Sequence, residues 1–207
     1  GQINIHVKPV ADGTTIKVND VTAYEDALIY DKKPTGNLFE GKSRIPLKLE
    51  VPELSKDKTD QNNATGDHSE RNGEITLTFT NGDKVAGAKV AIIGLLDITT
   101  ITTENQTLKV VIIKNGAVDY DYHHADIKIP DGYSIFNPPA GTVYLTKELY
   151  EQLTIQHTED NDTDIAIKIG VTSYEVDDSG KPLTGNLATS STTTANMTVI
   201  IKPVTDD

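Results

Sequence analysis

Apolar side chains alternate with Thr, Lys or Asn along most of this chain, the period-two pattern of strands with one buried face. Segments 3–9, 14–18, 45–51, 74–80, 88–93, 107–114, 126–129, 153–157, 164–172 and 196–202 carry it. Turn pairs punctuate them: Asp12-Gly13, Asn81-Gly82, Asn115-Gly116, Asp131-Gly132 and Ser179-Gly180. Strands in such number, with such turns, predict an all-β fold, an antiparallel β-sandwich with Greek-key connections. One helix interrupts the rhythm. Thr146 is a good N-cap, Glu148 adds an acid to the first turn, and Leu149, Tyr150 and Leu153 recur at one-turn spacing, predicting a short capping helix over 146–152. Two stretches lack the pattern: 55–73 holds almost nothing apolar, and 180–195 is rich in Ser, Thr and Gly, so both are expected as long exposed loops. The first is also a place where relatives would carry an inserted domain.

The two ends of the chain repeat each other. The decapeptide 3–12 returns as 197–206, each running from an alternating strand into Lys-Pro-Val-x-Asp, with Lys8 and Lys202 separated by 194 residues. Such self-similarity is what one unit of a tandem array shows when the last strand of the preceding unit stays at its front. The expected division is therefore 1–12 as the end of a preceding module and 13–207 as one enlarged sandwich module.

Composition narrows the chemistry. The 207 residues contain no cysteine, so neither disulfides nor thiolate metal sites hold the fold. A net charge of −12 repels nucleic acid and anionic membranes and attracts divalent cations. No apolar run approaches the roughly 18 residues of a membrane helix. No phosphate-binding loop, dinucleotide fingerprint or nucleophile elbow occurs, and the consecutive Asp67-His68-Ser69 cannot form a catalytic relay, so a non-enzymatic protein is expected. Asp160-Asn161-Asp162-Thr163-Asp164 opens like an EF-hand, but Ile165 stands where that loop needs Gly and Val171 where it needs Glu. A solvated turn is expected there.

An ordered series of motifs resembles the Ig-like, cadherin-like repeats of giant type I-secreted bacterial RTX adhesins. It comprises the junction Lys8-Pro9-Val10-Ala11-Asp12-Gly13, Tyr24-Glu25-Asp26-Ala27, the run 66–70 leading into strand 74–79, the helix-then-strand segment 141–155, the long strand 165–180 and the closing Lys202-Pro203-Val204-Thr205-Asp206. His68 and Ala27 depart from the usual residues of those turns. The region from about 94 to 140 is extra relative to short spacer repeats, and the Gly-rich nonapeptides are absent. The resemblance implies an extracellular, cell-surface module that serves adhesion and binds Ca²⁺, behaves as a monomer, and neighbours other modules of its own chain.

Calcium takes six to eight hard oxygens converging from several loops. Asp12, Glu25 and Asp26, together with Glu175, Asp177 and Asp178, supply such oxygens at a module junction. Asp67 and Glu70 form or complete another site, and Asp206 faces the following module as Asp12 faces the preceding one. Within the extra region, an extended 119–126 would aim Asp119, Asp121 and His123 to one side and Tyr120, Tyr122 and His124 to the other. With Asp126, the residues Asp119, Tyr120, Asp121, Tyr122 and His123 are the expected contacts to a surface ligand, Asp oxygens holding an ion and Tyr rings giving rigid contact area. By resemblance, that ligand is a peptide or protein C-terminus. The alternative is an extender module that projects other domains and binds nothing itself; tyrosines lying on a strand would fit it equally.

Overall fold

The computed structural model describes residues 11–25, 44–54, 69–92 and 96–203. Its strands are β1 (Val21–Tyr24), β2 (Ile45–Pro46), β3 (Glu70–Asn72), β4 (Ile75–Phe79), β5 (Lys89–Ile92), β6 (Leu96–Thr100), β7 (Gln106–Lys114), β8 (Ala117–Val118), β9 (Thr142–Leu145), β10 (Leu153–Gln156), β11 (Ile165–Glu175) and β12 (Ser190–Lys202). They form an eight-stranded sheet in the order β1-β12-β11-β4-β7-β8, with β3 added to β11 and β9 to β7. A four-stranded sheet, β2-β10-β5-β6, lies opposite. The expected all-β sandwich with one short α-helix is what forms.

Alternation decides which side chains meet. Along β11, Ile165, Ile167, Ile169 and Val171 point inward, joined by Ile75, Leu77 and Phe79 of β4, Leu108, Val110 and Ile112 of β7, and Met197, Val199 and Ile201 of β12. Val90, Ile92, Leu153 and Ile155 of the smaller sheet close the same core. The odd residues of β7 face the other way. Val111 and Ile113, with Val118, Ile127 and Tyr144, make a second small core that Ile129 and Ile135 help cover, so residues 118–135 of the extra region lie as a layer over the outside of the large sheet, while its first part supplies β6 and β7.

The helix α1 (Lys147–Glu151) starts where its cap predicts: the Thr146 side chain accepts the Leu149 N–H at 3.2 Å. Tyr150 lies wholly in the core, whereas Leu153 belongs to β10. No helix among the described residues is long and apolar enough to cross a membrane.

Several expectations are corrected. Two strand pairs are parallel, β1 with β12 and β7 with β9, within an otherwise antiparallel fold. Residues 14–18 contribute only an isolated bridge, Thr15 to Glu53, and 126–129 contribute no strand. Two predicted loops carry strands: Glu70–Asn72 is β3, and the Ser/Thr run enters β12 from Ser190. Thr has high strand propensity, and the long partner β11 supplies the pairing that this polar run lacks by itself. Segment 3–9, the front of the terminal repeat, lies outside the described residues.

Candidate functional site

The inner face of β11 turns polar at its end. Val171 is followed on that face by Ser173 and Glu175, and β3 lies antiparallel beside them with Asn72 opposite Ser173 and Glu70 opposite Glu175. All four side chains are 0% exposed. Two carboxylates thus sit across from each other inside the sandwich, at cross-strand neighbour distance. The chain entering from residue 11 closes over them. The Asp12 N–H reaches Glu70 Oε1 at 3.4 Å, the Thr14 hydroxyl donates to Asn72 Oδ1 at 2.8 Å, and the Ala11 N–H donates to Thr189 Oγ1 at 3.1 Å.

Three of the nine predicted metal ligands, Asp12, Glu70 and Glu175, therefore share one end of the sandwich. Asp177 and Asp178 follow directly but point outward, and Asp177 Oδ1 accepts the N–H groups of Ser179 and Lys181 at 2.8 and 3.0 Å, closing its own turn. Glu25 does not join them. It follows β1, its N–H bonds to Lys202 O at 2.7 Å, and Lys202 ends the strand whose other end lies by Glu175. The length of β11, roughly 30 Å at strand rise, separates the two. Glu25 instead borders a cleft of about 750 Å³ with Arg44, Lys89, Glu159 and Asp160. Asp26, Asp67 and Asp206 lie outside the described residues, among which no cluster of three or more His, Asp or Glu is grouped closely enough to hold an ion.

The segment from Asp119 is a turn, so the two expected ranks of side chains do not form. Asp119 O accepts the N–H groups of Tyr122 and His123 at 3.2 and 2.8 Å, while its Oδ1 takes the Asp121 N–H at 3.0 Å. Tyr122 is buried and its hydroxyl donates to Pro52 O at 2.9 Å; burial raises its pKa. Tyr120 is half exposed and donates to Ile127 O at 2.7 Å. Asp121 is exposed, and Asp126 is exposed with Lys181 Nζ at 3.8 Å.

His123 is a structural bridge. Its Nε2 accepts the Ile112 N–H at 2.8 Å, which fixes the proton on Nδ1, and Nδ1 donates towards Asn72 O and Gly73 O at 3.2 and 3.1 Å. The ring fills the gap between β3 and β7 beyond the end of β4, satisfying backbone groups that no strand reaches. At 1% exposure it resists a charge: burial lowers its pKa to about 4, the nearby carbonyls only partly opposing. His124 packs edge-on against Tyr174 at 4.8 Å, and burial lowers its pKa too.

Sequence reasoning missed Thr14, Asn72 and Ser173. The signal was present in β11, where the apolar period of Ile165, Ile167, Ile169 and Val171 continues in register into Ser173 and Glu175. Large aromatic surface lies elsewhere in the extra region. Tyr133 is half exposed, and Phe136 is 91% exposed on a two-residue turn closed by paired Ser134 and Asn137 hydrogen bonds of 3.1 Å. Comparison with protein-family models, curated proteins and solved structures returns no match.

Unfolded His titrates near 6.5, so between about pH 6.5 and about pH 4 the unfolded chain binds a proton at this position that the folded chain refuses. The stability contributed by neutral His123 is complete above that window and falls as pH drops through it, by roughly 3 kcal/mol in all. Urea melts across the window should show this slope, and His123→Gln should flatten it; an equal slope in both proteins would make His123 irrelevant to acid sensitivity.

Proposed function

We propose that this chain is a calcium-stabilised extracellular module of a bacterial adhesin, one unit of a tandem array on the cell surface. The observation that carries the reading is the Glu70–Glu175 pair, buried at 0% exposure in cross-strand register. Two buried carboxylates at cross-strand neighbour distance offer hard oxygens from two strands, and a divalent cation held between them would convert ion binding into folding free energy. The Asp12 backbone N–H lies on Glu70, which would couple ion binding to the place where the leading segment enters the sandwich. The net charge of −12 supplies the attracting field for Ca²⁺.

Within the array, the extender role has the better support. Tyr122 and His123 are spent on internal hydrogen bonds, and Asp119 caps its own turn, which takes half of the expected ligand contacts out of reach and leaves Tyr120, Asp121 and Asp126 at the surface. A second reading, binding of a cell-surface peptide or protein, is favoured by Phe136, a rigidly presented aromatic of the kind that anchors interfaces.

Chelation with EGTA should lower the melting temperature by several degrees, Ca²⁺ but not Mg²⁺ should restore it, and Glu175→Gln should lose most of the Ca²⁺-dependent increment. At a hundredfold excess over Kd, that increment is about 2.7 kcal/mol. A melt indifferent to Ca²⁺ would remove the metal from the account. On an array of peptides with free C-termini, the binding reading expects Ca²⁺-dependent capture that Phe136→Ser abolishes and Tyr122→Phe spares; an empty array leaves the module as an extender.

A further inference from the structure

The chain contains three Asn-Gly pairs, Asn72-Gly73, Asn81-Gly82 and Asn115-Gly116, and the fold treats them very differently. In such a pair the backbone nitrogen of Gly, unhindered by a Cβ, can reach the carboxamide carbon of the preceding Asn. Reaction requires a carboxamide free to turn, a Gly N–H not held elsewhere, and a backbone able to rotate into line.

Two of the pairs fail these requirements. Asn72 is fully buried with its Oδ1 holding the Thr14 hydroxyl, and the Gly73 N–H donates to Thr172 O at 2.9 Å. Asn81 is held at both ends of its side chain, Nδ2 donating to Asp164 O at 2.8 Å and Oδ1 accepting the Ala166 N–H at 3.0 Å. Gly82 is buried and packs its α-carbon against the backbone of Thr103.

Asn115 meets all three. It is exposed, makes no side-chain hydrogen bond among the described residues, and precedes a Gly116 whose surroundings are open to 4 Å. The two residues, with φ of 53° and 78°, form the whole connection between β7 and β8. That hairpin is paired only through Ile113 with Val118 and Lys114 with Ala117, at the edge of the sheet, so local opening costs little.

We propose that Asn115 is a site of spontaneous succinimide formation, selected by the fold from among three chemically equivalent pairs. Gly116 N attacks Asn115 Cγ, a C–N bond forms, and the carboxamide nitrogen departs as ammonia carrying the proton from the Gly116 N–H. Solvent water then opens the ring at either carbonyl to leave Asp or isoaspartate. Either product brings a carboxylate to the rim of the cavity of about 400 Å³ that Asn115 shares with Lys114, Asp119 and Lys147. Isoaspartate also adds a methylene to the backbone path, which a two-residue turn cannot absorb without losing register. Ageing therefore acts on the edge hairpin and on the small core that Val118 helps build, and leaves the main core alone.

Trypsin separates the outcomes, because Asn72 and Asn81 fall together in the fragment 72–84 while Asn115 falls in 115–128. The full chain is incubated folded, and in parallel in concentrated urea, at mildly alkaline pH before rapid digestion and mass spectrometry. In the folded protein, fragment 115–128 should become about 1 Da heavier at least about tenfold faster than 72–84, with isoaspartate at 115. In urea the three sites should react within a few-fold of one another. Equal rates in the folded chain, faster change in 72–84, or an unchanged 115–128 would each overturn the proposal.

Discussion

Strict alternation along β11 forces the conflict around which this molecule is arranged. The strand runs the full height of the large sheet, and because side chains alternate without a break, whatever stands at positions 173 and 175 must enter the interior that Ile165 to Val171 have already made apolar. Those residues are Ser and Glu, and β3 answers them with Asn72 and Glu70 in register. Buried acids at neighbour distance need opposite charge or hydrogen bonds around them. Consequently this end of the sandwich is built from polar contacts: the Asp12 amide on Glu70, the Thr14 hydroxyl on Asn72, the Ala11 amide on the Thr189 hydroxyl. The leading segment is tied down there by these hydrogen bonds, and under the proposed reading this is the end at which a cation would act on the fold.

The same break that creates β3 also explains the histidine. Gly73 and Glu74 interrupt the strand that would otherwise run continuously from Glu70 to Phe79 along β11, and the sheet parts between β3 and β7. The His123 ring spans that gap by accepting from one strand and donating to the other, so the turn from Asp119 is held as a structural plug. What looks in the sequence like an insert with a binding constellation is, over 118–135, largely a second layer packed on β7, with Val118, Ile127 and Ile135 turned inward and Phe136 turned fully outward.

The sequence made the central strands readable because β4 and β11 alternate between a buried and a more exposed face, which is what a period of two reports, and because β7 and β10 are apolar enough to stand out even with both faces covered. The capped helix was readable for a similarly local reason, the Thr146 side chain closing its first turn. Elements defined by long-range pairing were not. Strand β3 lies within a polar stretch and exists because β11 extends far enough to pair with it, and the front half of β12 is a Thr-rich run stabilised by the same partner. The grouping of acids was only partly visible: the Asp12 backbone and Glu175 come to one end, Glu70 lies opposite Glu175 although sequence placed it in a separate site, and Glu25, placed with Asp12 and Glu175, ends on the far side because β1 runs parallel to β12 and finishes beside Lys202. The burial of Tyr122 and His123 depended on a sheet break that no local pattern announces.

The most direct test compares the melting of wild type with the Glu70→Gln, Glu175→Gln double variant, each in EGTA and in excess Ca²⁺. Gln keeps the shape of Glu and removes the charge, exchanging one acceptor oxygen for an NH₂ donor. If the pair binds a cation, the order of stability inverts: the variant melts above wild type in EGTA and below it in Ca²⁺. A variant that melts below wild type by the same margin in both buffers would mean that contacts within the protein itself already balance the two carboxylates, and the calcium account would fail.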